Sequence, residues 1–126
     1  MEKQVLNSNI LPAAVGPYSQ IVRYGDLVFL SGQISADAKT GEVIRQDVAG
    51  QTHTIMQLIQ SALEEVGSGM DRVLKCTVHL SDAKHFAEMN RVYAQYFLNG
   101  FPARLCVSGV QLYDGLDVEI DVIAGI

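Results

Sequence analysis

The sequence predicts an α+β domain in which two helices cover one face of a mostly antiparallel sheet. Two segments, 47–66 and 82–99, repeat apolar residues at helical spacing, whereas several shorter segments alternate apolar and polar residues as strands do. Turn signals built on glycine separate strands that are adjacent in the chain. The resulting order is two or three strands, a helix, a strand, a helix and two strands, which is typical of an α+β sandwich.

Length and composition favour one globular domain, residues 1–126. The chain is 48% hydrophobic and 18% charged, which excludes the disordered class. Its net charge is −5 and it has no basic run, so we expect no nucleic-acid partner. No apolar run is long enough to cross a membrane or to act as a signal peptide, and Cys76 and Cys106 form no CxxC pair. We therefore expect a cytoplasmic protein with reduced thiols and no membrane partner.

The first half of the chain contains three predicted strands and one predicted helix. The strands cover 4–6, 19–24 and 27–32, and Gly25-Asp26 between the last two favours a tight hairpin that begins with glycine. The helix over 47–66 has an apolar stripe, Asp47 as its N-cap and Gly67 just beyond its end. Ser31 and Gly32 end the third strand with small residues, where a ligand can approach the backbone.

The second helix, predicted over 82–99, has a polar residue within its apolar stripe. Ser81 or Asp82 is expected to cap it, and Gly100 and Pro102 are expected to stop it. Asn90 lies on or beside the predicted buried face, where an amide needs hydrogen-bond partners. The stripe itself consists of Phe86, Met89, Tyr93, Tyr96 and Phe97.

The remaining predicted strands cover 72–80, 103–111 and 116–124. In the first, we expect one buried face made of Leu74, Cys76, Val78 and Leu80. The turn at 113–115 predicts that the last two strands form a hairpin. Alternation assigns Leu105 and Val107 to the helix-covered face, and it assigns to the other face Arg104, Cys106, Ser108, Glu119 and Asp121.

Arg104 is a charged residue within an otherwise apolar predicted strand, and it indicates the function more strongly than any other residue. A guanidinium keeps its charge, so within an apolar strand it needs water, a carboxylate partner or an anionic ligand. Arg104 and Glu119 together could hold a small carboxylate and a water molecule, but a salt bridge across the hairpin explains the pair more simply. A polar and apolar sheet face of this kind also favours an oligomer with clefts between subunits.

The cysteine and histidine side chains indicate a function less strongly than Arg104 does. Cys106 has no histidine placed beside it by the pattern, so a structural role is favoured over a nucleophilic one. The three histidines, His53, His79 and His85, lack the spacing of a metal site, and we expect none.

Together these residues resemble the RidA/YjgF family of enamine/imine deaminases, with compatible spacing from about residue 4 to residue 124. The matching motifs are Gly16-Pro17-Tyr18-Ser19-Gln20, Ser31-Gly32-Gln33-Ile34, Asn90 with Val92-Tyr93, Pro102-Ala103-Arg104 with Cys106-Val107, and Val118-Glu119-Ile120 with Ile123-Ala124.

The resemblance implies a chorismate mutase-like fold and a homotrimer with its active sites at the subunit interfaces. It further implies hydrolysis of 2-imino acids and their enamine tautomers, such as 2-aminoacrylate, 2-iminopropanoate and 2-iminobutanoate, to 2-oxo acids and ammonia, without a cofactor. Pyridoxal-phosphate enzymes acting on serine, threonine or cysteine release such intermediates.

The resemblance also assigns roles to single residues. Arg104 matches the arginine that binds the substrate carboxylate, and Glu119 matches the glutamate that positions the attacking water. Cys106 matches a cysteine whose main chain contacts the ligand. The remaining cleft-lining, substrate-binding positions are Tyr18, Ser31, Gly32 and Asn90.

Two departures from the family pattern concern the choice of substrate. Leu105 replaces the serine commonly found between the arginine and the cysteine, and the segment 108–117 differs from the usual one, so we expect these positions to decide which imine fits. Two alternatives to a general imine deaminase follow. One is a non-catalytic regulator or interaction protein that binds small ligands in the same cleft, and the other is a pathway-specific aminoacrylate deaminase.

Overall fold

A computed structural model describes all residues, Met1–Ile126, and confirms the α+β class. One six-stranded sheet carries both helices on a single face. Neither helix has the length and hydropathy that a membrane span requires. The strands are β1 (Lys3–Leu6), β2 (Ile21–Tyr24), β3 (Leu27–Gln33), β4 (Val73–Leu80), β5 (Ala103–Ser108) and β6 (Val118–Gly125), and the helices are α1 (Val48–Glu65) and α2 (Phe86–Tyr93).

Helix α1 begins and ends where the sequence predicts. The Asp47 carboxylate accepts a hydrogen bond from the Gly50 N–H at 2.8 Å, which satisfies one free donor of the first turn. At the other end Gly67 has φ +86° and donates its N–H to the Glu64 carbonyl, while the Ser68 N–H donates to the Leu63 carbonyl. This is a Schellman ending, which requires the left-handed backbone that glycine adopts without strain.

Helix α2 is shorter than its apolar stripe predicts. Short 3-10 turns, Ala83–His85 and Ala94–Tyr96, flank the α-helical part, and Asp82 caps the first of them by accepting from the Lys84 N–H. Phe97 already has extended backbone, so the helical segment ends at Tyr96 rather than at Asn99. The Phe97 ring is nevertheless buried in the core.

The strand order is β1-β2-β3-β6-β4-β5, and only β4 and β5 run parallel. The prediction that the last two strands form a hairpin is therefore wrong, because β4 lies between them. The connecting segment crosses the end of β4 instead of turning back. There the Val110 N–H donates to the Leu80 carbonyl, and the Ser81 N–H donates to the Asp117 carbonyl.

A second correction concerns the beginning of β4. The pairing of β4 with β6 shifts register between Val73 and Lys75, so the strict alternation of side chains begins only after this bulge. Val73 is buried and Leu74 is 52% exposed, contrary to the predicted buried face. Cys76, Val78 and Leu80 are buried as predicted.

The strand register reverses the predicted faces of β5. Arg104 pairs with Cys76 and Cys106 pairs with Val78, so Arg104 and Cys106 lie on the helix-covered face of the sheet. Leu105 is 51% exposed on the opposite, uncovered face. Glu119 and Asp121 alternate with the buried residues of β6 and remain on the uncovered face, as predicted. The expectation that Arg104, Cys106 and Glu119 share one face is thus wrong.

The uncovered face of the sheet is apolar along β1 to β3, where the side chains of Val5, Leu27 and Phe29 are exposed. Leu105 is exposed on the same face at the other edge of the sheet, beyond the polar residues of β6 and β4. Contiguous apolar patches on a sheet face are typical of interaction surfaces. We call this surface, together with Glu119 and Asp121 on β6, the open face.

Candidate active site

Arg104 lies between the edge strand β5 and helix α2. Its Nη1 atom donates to Asn90 Oδ1 at 2.7 Å, and its guanidinium carbon lies 4.9 Å from the Tyr93 ring centroid and 5.6 Å from that of Phe86. Aromatic faces attract a cation without neutralising its charge. No carboxylate pairs with Arg104, so the predicted salt bridge with Glu119 does not form.

The guanidinium opens into a cleft of about 370 Å³, which Asn90, Tyr93, Phe101 and Pro102 also line. Residues Phe86, Asn90 and Tyr93 follow one another at spacings of four and three, so α2 presents all three to Arg104 on one side. Asn90 lies at this cleft, and its amide oxygen accepts a hydrogen bond from Arg104. The arrangement leaves other guanidinium N–H groups for an anion.

Glu119 lies in a different cleft, of about 510 Å³, together with Tyr18, Ser31 and Gly32. The carboxylate rests directly on the Gly32 backbone, because a β-carbon at Gly32 would lie 2.5 Å from Glu119 Oε2. Burial raises the pKa of the Glu119 carboxyl above its ordinary value; His79 opposes the increase and Asp121 adds to it. A carboxyl group with a raised pKa is suited to proton transfer near neutral pH.

The segment before β2 shapes the second cleft. The Ser31 hydroxyl donates to the Ser19 carbonyl at 2.6 Å, and the Tyr18 N–H donates to the Gly16 carbonyl at 2.8 Å. Tyr18 is 51% exposed, so its ring and hydroxyl are available at the cleft. The Ser31 hydroxyl thus fixes the Gly-Pro-Tyr turn in place while its oxygen can still accept a hydrogen bond.

The predicted site residues fall into two groups that do not meet within one chain. Arg104 lies beside Cys76 on β4 and Glu119 lies beside His79, so they are offset by three residues, or about 10 Å, along the strands. Because β4 separates β5 from β6, their backbones are also about 10 Å apart across the sheet. The two side chains project from opposite faces, so they do not reach the same small molecule.

Neither cysteine has the character of an activated nucleophile. Burial raises the pKa of the Cys106 thiol, although Arg104 acts in the opposite direction. Burial also raises the pKa of Cys76 to about 11. Thiols with raised pKa values are mostly protonated at neutral pH and react slowly. No group of three or more His, Cys, Asp or Glu side chains is arranged to hold a metal ion.

Two features of the site were missed from the sequence. The first is the pair of rings around Arg104, Phe86 and Tyr93, which were assigned to the apolar stripe of the second helix. Their helical spacing with Asn90 would have placed them near Arg104 only if Arg104 had been assigned to the helix-covered face of the sheet. His79 was considered only as a metal ligand, yet it is the direct register partner of Glu119 on the open face.

The fold and its two clefts define a class: a small α+β domain that offers an unpaired arginine and a half-buried carboxylate to small molecules. Comparisons with known proteins narrow this class. The family model described as endoribonuclease L-PSP matches residues 9–126. A RutC family protein of Pyrococcus abyssi is 39% identical over 124 residues, which cover 98% of both chains.

A bovine protein named 2-iminobutanoate/2-iminopropanoate deaminase is 35% identical over 122 residues, which cover 97% of this chain and 89% of the bovine one. Among solved structures, YyfA of Yersinia pestis, a Rid family protein, superposes with a TM-score of 0.93 at 34% identity, over 99% of this chain and all of the other. The chain belongs to the Ribonuc_L-PSP family, which includes the YjgF, RidA and RutC proteins.

Proposed function

We propose that this protein hydrolyses the C=N bond of 2-imino acids, and of their enamine tautomers, to give 2-oxo acids and ammonia. The observation that carries the proposal is the unpaired guanidinium of Arg104, which opens into a cleft and has no acidic partner. An arginine held in this way is prepared for a carboxylate supplied by a ligand. The name of the bovine relative supports the same chemistry.

In the proposed mechanism Arg104 binds the substrate carboxylate through two parallel N–H···O bonds. Asn90 and the rings of Phe86 and Tyr93 fix the plane of the guanidinium before the substrate arrives, so little side-chain freedom is lost on binding. This fixed plane orients the imine carbon next to the carboxylate.

Glu119 acts on water in the proposed mechanism. Its carboxylate accepts a proton while the water oxygen bonds to the imine carbon, and the C=N π electrons move to nitrogen. Glu119 then returns this proton to the nitrogen, which gives a carbinolamine. The carboxylate next takes the proton of the new hydroxyl group and passes it to the nitrogen as the C–N bond breaks, so that ammonia leaves and the carbonyl of the 2-oxo acid forms. The raised pKa of Glu119 suits both acceptance and return of the proton. No step requires a cofactor.

The proposed site is shared between copies of the chain. Arg104 of one copy and Glu119 of another can face the same substrate, whereas the two residues of a single chain cannot, since they lie on opposite faces. The apolar open face gives the copies a surface through which to associate. A homotrimer, which the family resemblance implies, has this cyclic head-to-tail arrangement.

The remaining substrate-binding positions complete the proposed cleft. Tyr18 and Ser31 border Glu119, and Gly32 lets the backbone approach it closely. Cys106 lies on β5 two residues beyond Arg104 and contributes its main chain. Its protonated thiol is not given a chemical role.

The test is a coupled assay in which a threonine or serine dehydratase releases the imine and its lifetime is followed with and without this protein. We expect Arg104→Ala to lower kcat/KM by roughly 10²-fold, because two charge-assisted hydrogen bonds are lost. Arg91→Ala is the matched control, because Arg91 lies on the exposed surface of α2 and pairs with Glu88.

Near wild-type rates for Arg104→Ala, with unchanged circular dichroism, would refute the assigned role of Arg104. A wild-type protein that binds 2-oxobutanoate but leaves the imine lifetime unchanged would instead identify a non-catalytic ligand-binding regulator. Comparison of imines derived from serine and threonine shows whether 2-aminoacrylate is preferred.

A further inference from the structure

Tyr113 lines the cleft that contains Glu119, and the proposed mechanism gives it no role. Its side chain is 67% exposed, so most of the ring surface is available to a ligand. The exposed side chains of Val15 and Tyr18 line the same cleft. Exposed apolar side chains that are grouped around a cleft are typical of a binding groove. The cleft therefore offers apolar surface beside the Glu119 carboxylate.

The apolar surface of this cleft is larger than the smallest imines can cover. Its volume of about 510 Å³ lies within the range of roughly 300–1,000 Å³ that is typical of pockets for drug-sized ligands. In contrast, 2-iminopropanoate and 2-iminobutanoate carry only a methyl or an ethyl group beyond the imine carbon. A larger apolar substituent would bury more of Val15, Tyr18 and Tyr113, and such burial stabilises a complex. The cleft is therefore better matched to a substituent larger than ethyl.

A tight turn directly after Tyr113 fixes its backbone at the cleft. Asp114 is the only residue other than glycine with a positive φ, at +54°, and Gly115 follows with φ +69°. The Gly115 N–H donates to the Leu112 carbonyl, and the Leu116 N–H donates to the Tyr113 carbonyl. A residue other than glycine keeps a left-handed backbone only where the surrounding structure holds it there, and such residues cluster at ligand sites.

Contacts on both sides of the turn hold it in this conformation. The Asp114 carboxylate pairs with the Arg45 guanidinium at 2.7 Å. Beyond the turn, the Asp117 N–H donates to Gln51 Oε1 at 2.9 Å, and its carboxylate accepts from the Ser81 hydroxyl at 2.6 Å. Because the backbone of the tyrosine is positioned before a ligand arrives, binding to its ring costs little conformational freedom.

Leu105, the other position expected to influence the choice of imine, lines neither cleft. It projects from the open face of β5, and β4 separates this strand from the strand that carries Glu119. The segment 108–117 contains Tyr113, which lies at the cleft itself. The structure therefore favours this segment over Leu105 as the determinant of substrate choice.

We propose that Tyr113 is a specificity-determining residue, whose ring binds a branched or aromatic apolar side chain of the 2-imino acid. This inference rests on the proposed imine hydrolysis for the reaction, but the contact between the ring and the substituent can be tested by binding alone. Aromatic rings pair favourably with one another beyond the area that they bury. The imine derived from phenylalanine is therefore the probe, and the imine derived from alanine is the reference.

The first experiment measures kcat/KM for both imines, which an amino-acid oxidase releases from phenylalanine and alanine. The selectivity is the ratio of the value for the phenylalanine-derived imine to the value for the alanine-derived one. Tyr113→Ala is expected to lower this ratio roughly tenfold, because the ring contact is lost, whereas Tyr113→Phe keeps the ring and the ratio. Leu98→Ala is the matched control, because Leu98 is an exposed apolar residue that lines neither cleft.

The second experiment does not depend on activity. Calorimetry compares the affinity of the wild type for two 2-oxo acids, 3-phenyl-2-oxopropanoate and 2-oxopropanoate, which have the carboxylate and side chains of the two imines. The wild type is expected to bind the phenyl compound more tightly. Tyr113→Ala should lower the ratio of the two affinities roughly tenfold, and Tyr113→Phe should retain it.

The two experiments separate failure of this inference from failure of the proposed function. Equal selectivity in wild type and Tyr113→Ala, or an equal loss in Tyr113→Phe and Tyr113→Ala, overturns the role of the ring. A changed solution mass of Tyr113→Ala also overturns it, in favour of a role in subunit contact. A wild type that shows the Tyr113-dependent binding preference but leaves both imine lifetimes unchanged refutes imine hydrolysis and leaves the ring contact intact.

Discussion

Gly32 lies in direct contact with the Glu119 carboxylate, so even a small substitution at this position would displace it. A single methyl group there would overlap Glu119 Oε2, yet the backbone of Gly32 does not have the positive φ that only glycine tolerates well. The need for glycine at this position comes from the space that the carboxylate occupies. Glycine at position 32 is accordingly required by the contact with Glu119 rather than by the backbone conformation.

We expect Gly32→Ala to lower kcat/KM for imine hydrolysis by roughly 10²-fold, because a displacement of about 1 Å in a catalytic group has an effect of that size. The displaced atom is the end of a flexible side chain, so the melting temperature should change little. The assay is the coupled dehydratase measurement, combined with thermal unfolding.

Gly69→Ala is the matched control, since a β-carbon at Gly69 would lie 3.1 Å from a carboxylate oxygen of Asp71, away from both clefts. This variant should keep full activity. Full activity in Gly32→Ala as well would show that the position of Glu119 is unimportant.

At the scale of secondary-structure elements, α1 is the element whose two ends are determined most clearly by neighbouring residues. Asp47 caps its first turn and Gly67 permits the Schellman ending, and both contacts lie within a few residues of the helix. Because the signals are local, the sequence was sufficient to predict both ends.

Replacing Asp47 with alanine should lower the free energy of unfolding by about 1 kcal/mol, because the Gly50 N–H loses its acceptor. Urea unfolding at one fixed protein concentration measures the change. Glu42→Ala serves as the control, since Glu42 is exposed and its carboxylate makes no hydrogen bond. Equal midpoints for both variants would contradict the capping role.

The strands were predicted less completely than the helices, for a physical reason. Strand segments and turns are encoded locally, but strand partners are chosen by long-range packing, and the Asp114-Gly115 turn gave no sign that the chain crosses β4. The bulge beside Leu74 and the face of Arg104 depend on that same pairing. The resemblance predicted the site residues, whereas their division between two clefts required the structure.

At the scale of the whole molecule, the separated clefts make a specific prediction about mixed assemblies. Arg104→Ala and Glu119→Gln should each be nearly inactive. If one copy supplies the arginine and the next supplies the glutamate, unfolding and refolding the two together recovers roughly a quarter of the wild-type activity, because random cyclic assembly rebuilds that share of sites.

A mixture of the two variants that was never unfolded is the control, and it should recover activity only as fast as subunits exchange. Persistent inactivity of the co-refolded protein, at a solution mass equal to that of wild type, would show that the site does not combine residues of two copies.

The apolar open face has a consequence for how the amount of protein governs its activity. Val5, Phe29 and Leu105 expose their side chains in the single chain. If the arginine and glutamate meet only across that contact, a single newly made chain has no complete site. The total activity then rises more steeply than the number of chains at low expression. It becomes proportional to that number only once association is saturated. An enzyme with a complete site in each chain lacks this threshold.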